Sequence, residues 1–357
     1  MAAHAARLQI DRRIGPLREL IETQRVGEST GLAFGMSSGL GATAWPLGAL
    51  AVAITAAWAV GASSGLPLGG VLGALTALMT ISASAPYLLA LSTFEAVADS
   101  ARGVSALVAQ AEDVQRRTAR LDETGLSAST ASQAYLIVTG GLTAALAASA
   151  LPMLFTKGLA SVDLLSPAVA MSGALGLATV LVYAGSAARA GTRGARGVAQ
   201  EVERQLRGFP RERGRPQIPP DYTPSYRNCV ELTARAALHR MMAPVAAGLA
   251  APLALGVALH LIFRHHYATL PAQALAAFVV VAALTGMAAA LALHATKSTL
   301  SAARRFVRRS GPARDFDAAI ASDAVADVLG NAAGPAAHLL TKAIAVVALV
   351  VAPFIAQ

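Results

Sequence analysis

Charge is what this chain lacks over its longest stretches. Residues 29 to 94 hold no Asp, Glu, Lys, Arg or His, a run of 66 positions. Only 14% of the 357 residues are charged, against 55% that are hydrophobic. Soluble domains carry about 25% charged residues, so the composition excludes an ordinary soluble protein and points to an integral membrane protein. Cysteine is almost absent: the single Cys229 excludes a disulfide framework and a cysteine-built metal cluster. The first 28 residues carry Arg7, Asp11, Arg12, Arg13, Arg18, Glu19 and Glu22. They lack the apolar core of a signal peptide, and no cleavage is expected. A nucleotide-binding glycine loop is missing, as is a Gly-x-Ser-x-Gly nucleophile in a strand-to-helix context.

What remains is a series of apolar runs rich in Ala and Leu. They predict an all-α polytopic bundle forming a single transmembrane domain over residues 1–357. Its seven spans fall at about 32–60, 69–93, 131–155, 164–188, 241–263, 271–296 and 335–356. Ser63 to Gly70 supplies the turn between the first two. The runs exceed the length of a barrel strand and show no period of two. Gly31, Gly35 and Gly39 mark a small-residue seam where another helix backbone can approach closely. Trp45 and Trp58 read as packing or interface anchors, and the adjacent His265 and His266 as a solvated loop.

Seven crossings place residues 1–28, 95–123, 189–240 and 297–331 on one side, with 5, 4, 11 and 6 Lys or Arg. The other side carries Lys157 and Arg264, and Lys342 lies within the last span. Such asymmetry sets orientation: a cytoplasmic N-terminus and an external C-terminus. The membrane is expected to be a bacterial inner (plasma) membrane. The net charge of +9 is then a product of topology, and nucleic acid is not expected as a partner. Residues 10 to 25 read as a short amphipathic helix on the cytoplasmic surface.

Near the C-terminus Asp323, Asp327, Asn331, His338 and Lys342 fall within an arc of about 100° on a regular helix. Ionisable groups in a span face a polar interior or one another. Cations at the end of the sixth span, Lys297, Arg304, Arg305 and Arg308, rise toward the same side as Asp323 and Asp327. Such a set either binds Mg²⁺ and phosphate together or neutralises itself in salt bridges. Glu95, Asp99 and Arg102 share a face at the end of the second span, where an ordinary solvated helix end explains them equally well.

Six segments, in order, carry a family resemblance: Gly31-Leu-Ala-Phe-Gly-Met-Ser-Ser38, Asp99-Ser-Ala-Arg-Gly-Val-Ser-Ala-Leu107, Thr118-Ala-Arg-Leu-Asp-Glu-Thr-Gly125, Pro224-Ser-Tyr-Arg-Asn-Cys-Val-Glu-Leu-Thr233, Arg235-Ala-Ala-Leu-His-Arg-Met241 and Ser322-Asp-Ala-Val-Ala-Asp-Val-Leu-Gly-Asn-Ala-Ala-Gly-Pro335. Through them the chain resembles the C-terminal half of the ion-translocating membrane pyrophosphatases, matching the last seven of that family's sixteen helices. That family hydrolyses inorganic pyrophosphate with Mg²⁺ and moves H⁺ or Na⁺.

The resemblance implies Asp99, Asp323 and Asp327 as metal-pyrophosphate acids, Arg304 and Arg305 as phosphate ligands, and Lys342 as the ion-gate lysine. It also exposes departures. Asn331 stands at a water-activating carboxylate, and an amide cannot take up that proton. Leu126 and Gln133 replace a polar asparagine and a phosphate-binding lysine, and Ser301 replaces an aspartate. Arg102 and Ala106 break the motif that begins at Asp99.

The expectation is a diverged half-pump, a pseudoenzyme that does not hydrolyse pyrophosphate alone. A separately encoded N-terminal half would complete a cavity between spans two, three, six and seven. Alternatively a homo- or hetero-oligomer, or another membrane subunit, uses the chain as a scaffold in the lipid bilayer. A third reading is an ion or small-solute transporter without hydrolysis. Mg²⁺ is expected only where pyrophosphate binding survives.

Overall fold

The computed structural model describes residues 15–107, 111–149, 151, 162–212, 215–219, 221–263, 269–310 and 313–355. Residues 10–14 of the amphipathic segment, residues 152–155 of the third span, Lys157, Arg264, His265 and His266 lie outside them. So does residue 356 of the last span.

Helices make up nearly all of the described chain, as the long Ala- and Leu-rich runs dictate: these residues lose little side-chain freedom in a helix. In order they are α1 (Gly15–Gln24), α2 (Glu28–Ala42), α3 (Ala44–Ala62), α4 (Gly69–Ser82), α5 (Ala85–Leu107), α6 (Glu112–Ser149), α7 (Pro167–Leu206), α8 (Tyr226–Phe263), α9 (Leu270–Ser310), α10 (Ala313–Val328) and α11 (Gly334–Ile355). A π-helical turn, Leu329–Ala333, joins the last two. Six helical segments are long and apolar enough to cross a membrane, and the bent pair α4 and α5 adds a seventh when taken as one span. The fold is therefore an all-α polytopic membrane bundle. Among the described residues, β-structure is a two-residue ladder pairing Arg211 with Pro216 and Glu212 with Arg215. It lies in the connection from α7 to α8.

α9 is the axis of the bundle. Two thirds of its apolar window is buried, against 6% for the α2–α3 segment. Ala274, Ala276, Phe278, Val279, Ala282, Ala283 and Ala290 are wholly enclosed or nearly so. Close approach to this axis depends on residues without side chains. A Cβ at Gly35 would collide with Leu300, and one at Gly39 would sit 2.8 Å from the Ala292 carbonyl oxygen and the Thr296 nitrogen. The glycine seam of α2 thus faces α9 at Gly35 and Gly39, while Gly31 packs against Gln24 of α1. The hairpin between α3 and α4 closes through Ser63 and Ser64, with Gly65 at φ +73° and Leu68 also in the left-handed region.

One expectation changes. α1 does not present its apolar face to lipid: Leu17 and Leu20 are buried with Leu126, Leu300, Ala303 and Ala326, capping one end of the bundle. Gln24, buried at the same place, donates from Nε2 to Ser322 Oγ at 3.0 Å. In addition, the connections 95–123, 189–240 and 297–331 are largely helical, because α5, α6, α7, α9 and α10 run on past the apolar spans. The charged residues therefore stand on rigid helix ends.

Candidate functional site

Four helix ends, those of α5, α6, α9 and α10, bring the acids and cations of the sequence together. At the centre is Asp122 of α6, fully buried. Arg305 reaches it with two parallel bonds, Nη2 to Oδ1 at 2.6 Å and Nε to Oδ2 at 2.9 Å. Arg102 donates from Nη1 to the same carboxylate. This bidentate fork is the geometry in which guanidinium holds carboxylate best. Arg305 Nη2 also lies 3.9 Å from both Glu95 and Asp99, and Lys297 Nζ stands 3.6 Å from Glu95.

Asp323 is buried and doubly engaged. Ser301 donates its hydroxyl to Oδ1 at 2.5 Å, and Arg304 Nε lies 2.9 Å from Oδ2. The latter is an ion pair whose angle falls short of a hydrogen bond, since Oδ2 has no hydrogen-bonded partner. Arg304 Nη2 also approaches Asp99, 3.7 Å away and half exposed. Asp327 accepts a bond from Asn331 Nδ2 at 3.3 Å. The amide at position 331 is thus a donor to the neighbouring acid and offers no base.

The predicted acids and arginines do converge, but on one another. Four carboxylates (Glu95, Asp99, Asp122 and Asp323) meet four cations (Arg102, Lys297, Arg304 and Arg305) within this network, while Asp327 is bonded to Asn331. Mg²⁺ demands oxygen ligands in near-octahedral order and is held through one or two carboxylates plus substrate phosphate. Among the described residues no three His, Cys, Asp or Glu side chains come together as a metal cage. Both oxygens of Asp323 already face a donor or a cation, so the present arrangement does not fit the ion.

Lys342 lies apart from this network. It lines a cavity of about 590 Å³ between α5, α6, α9 and α11, together with Gln133, His294, His338, Ser92 and Leu339. Among the described residues no carboxylate lines this cavity. The Lys342 side chain packs over Gly140 of α6, where a Cβ would meet its Cε and Nζ. His294 is buried, with Nε2 3.3 Å from the Thr130 carbonyl oxygen. The π turn inserts one extra residue into its turn, so a constant 100° step does not describe the path from Asp323 to Lys342. Asp323 is buried in the network, Asn331 is exposed and Lys342 faces the cavity. Gly330 lets the π turn press against the Lys297 side chain.

Residue reasoning alone did not find Asp122, and it left Glu95 and Arg102 as a solvated helix end. Both are buried. The signal was available in the motif itself, because Arg102 introduces a large cation at a position the resemblance gives to glycine, and Asp122 is its partner. Leu126, where the resemblance implies an asparagine, is buried in the apolar cap beneath α1. Gln133 reaches the cavity and not the ion network.

Comparison with known proteins identifies the family. A protein-family profile described as Inorganic H⁺ pyrophosphatase matches residues 4–351. The "K(+)-insensitive pyrophosphate-energized proton pump 2" of Moorella thermoacetica is 30% identical over 94% of this chain and 48% of the relative. The "Pyrophosphate-energized membrane proton pump 3" of Arabidopsis thaliana is 30% identical over 98% of this chain and 45% of that protein. A "K(+)-insensitive pyrophosphate-energized proton pump" of Streptomyces coelicolor is 27% identical over 95% and 43%. The chain spans about half the length of the curated relatives it matches, and it belongs to the inorganic H⁺ pyrophosphatase family.

Proposed function

We propose that this polypeptide is a diverged half of a pyrophosphate-energised ion pump, unable to hydrolyse pyrophosphate with its own residues. The observation that carries this reading is the pairing of Asp323 with Arg304 and Ser301, beside Asn331 bonded to Asp327. Asp323, which would hold metal and phosphate, is committed to a fixed cation, Asp327 is bonded to Asn331, and an amide stands at the place of the water-activating carboxylate. Arg304 and Arg305 are therefore network members before they are phosphate ligands.

The cavity around Lys342 is the second half of the reading. A buried cation is unfavourable without a counter-charge or water, and among the described residues no carboxylate lines this space. The helices that fill the remaining half of the relatives' length would supply the opposing wall, whichever polypeptide carries them. A hetero-oligomer with such a half, or a homo-oligomer, is the expected working form, with the basic helix ends in the cytoplasm of a bacterial cell. Mg²⁺ would then be held by acids contributed jointly.

The test is Mg²⁺-dependent phosphate release from pyrophosphate by the purified chain, beside Asp327→Ala as control. No release above the control is expected; turnover abolished by Asp327→Ala would overturn the reading. The 590 Å³ cavity with two histidines and a lysine favours one alternative, ion or solute passage without hydrolysis. Charge movement in liposomes lacking pyrophosphate would support that alternative instead.

A further inference from the structure

Where α7 leaves its apolar span and α8 enters its own, the cations are not neutralised as they are in the ion network. In the network Arg102, Arg304 and Arg305 each face a carboxylate. On α7, Arg189, Arg193 and Arg196 fall within an arc of about 60°. All three are exposed, on the side away from the buried Ala187, Ala190 and Gly194. Among the described residues no carboxylate pairs with them, and Arg189 donates from Nη2 to Ser186 Oγ at 3.0 Å.

Packing brings α8 to the same level. Asn228 donates from Nδ2 to Glu201 Oε1 at 3.2 Å, and a Cβ at Gly194 would lie 3.6 Å from that of Ala236. The two helices are therefore antiparallel, and Arg235 and Arg240, both exposed, join the belt of α7 arginines. Arg235 is paired with Glu231 at 2.6 Å. Leu238, 67% exposed, stands at the same level.

The distribution of charge distinguishes a lipid surface from a soluble acidic partner. Residues 189–200 and 232–240 carry five arginines and no acid, whereas residues 201–231, farther from the spans, carry six arginines and five acids. A soluble acidic surface would be met best by cations along the whole extension, but the excess is confined to the turns nearest the spans. From Arg189 to Arg196 the helix rises about 10 Å. That height covers the headgroup layer, because a hydrocarbon core of about 30 Å lies within about 40–45 Å of bilayer. An exposed leucine among cations suits the boundary between headgroups and acyl chains.

We propose that this belt binds the headgroup of an acidic phospholipid. Guanidinium matches phosphate oxygens in charge and spacing, and cations clustered beside a span attract anionic lipid. The site lies apart from the ion network and from the Lys342 cavity, and it depends on no reading of hydrolysis.

Delipidated full-length chain in detergent is given phosphatidylglycerol or phosphatidylcholine, and bound lipid is measured by native mass spectrometry. Phosphatidylglycerol should bind more tightly, and the preference should fall at least tenfold when Arg189→Gln, Arg193→Gln and Arg196→Gln are combined. Removing as much charge farther out, with Arg207→Gln, Arg211→Gln and Arg227→Gln, should leave it unchanged. Combining Arg189→Lys, Arg193→Lys and Arg196→Lys should retain most of it. Raising salt from about 0.1 to about 1 M shortens the screening length from about 10 to about 3 Å and should weaken the preference of the unmodified chain, independently of how any variant folds. Equal binding of the two lipids, a preference indifferent to the inner substitutions or to salt, or equal loss from the outer substitutions, as a soluble acidic partner's surface would give, would overturn the proposal.

Discussion

The charged helix ends and the cavity around Lys342 are built from largely the same helices, yet they solve the problem of a polar group in a membrane protein in opposite ways. At the helix ends, Asp122 sits at 0% side-chain exposure because two guanidinium groups surround it. In the cavity, Lys342 shares its space with His294, His338 and Gln133 and, among the described residues, with no carboxylate. One region is closed electrostatically within this chain, whereas the other leaves a cation for something else to meet. The difference separates what the half-bundle needs in order to fold from what it needs in order to work.

Breaking the closed region should have the largest effect. Arg305→Ala leaves Asp122 buried with a single cation, and removing one partner of a buried pair costs about 3–5 kcal/mol. Thermal unfolding in detergent should show a large loss of stability, and a change within about 0.5 kcal/mol would show that the network is not load-carrying. A packing change comes next. Gly39→Leu forces a side chain against the backbone of α9 at Ala292 and Thr296, where overpacking costs about 1–3 kcal/mol. It should lower the melting temperature without touching either polar region.

The open region should respond least. Lys342→Met removes a cation that has no carboxylate beside it in the cavity among the described residues, so stability should move by no more than about 0.5 kcal/mol. A loss as large as that of Arg305→Ala would mean that Lys342 has a partner inside this chain. Orientation sharpens the comparison without any change in energy. Cys229 is the sole cysteine and partly accessible near the start of α8. An impermeant maleimide should label it in inside-out vesicles and not in intact cells, if the charged ends are cytoplasmic.

The membrane class and the order of the helices were legible because apolar runs and cation asymmetry are properties of the chain itself. The glycine seam of α2 was legible for the same reason, since only a missing Cβ permits that approach. The state of the site was less so. Carboxylates and guanidiniums at one helix end announce a polar cluster, but whether they grip a ligand or each other depends on three-dimensional pairing. Asp122 lies 183 positions before Arg305. Phase also defeated simple counting: the π turn at Leu329–Ala333 resets the helical step, so Asp323 and Lys342 belong to separate environments despite their regular spacing.

A double-mutant cycle on Asp122→Ala and Arg305→Ala, read by unfolding free energy, measures the closure of the charged end directly. If these side chains satisfy one another as described, the double variant should recover at least about 2 kcal/mol of the summed single losses, within the range seen for contacting residues. Losses that add to within about 0.5 kcal/mol would contradict it.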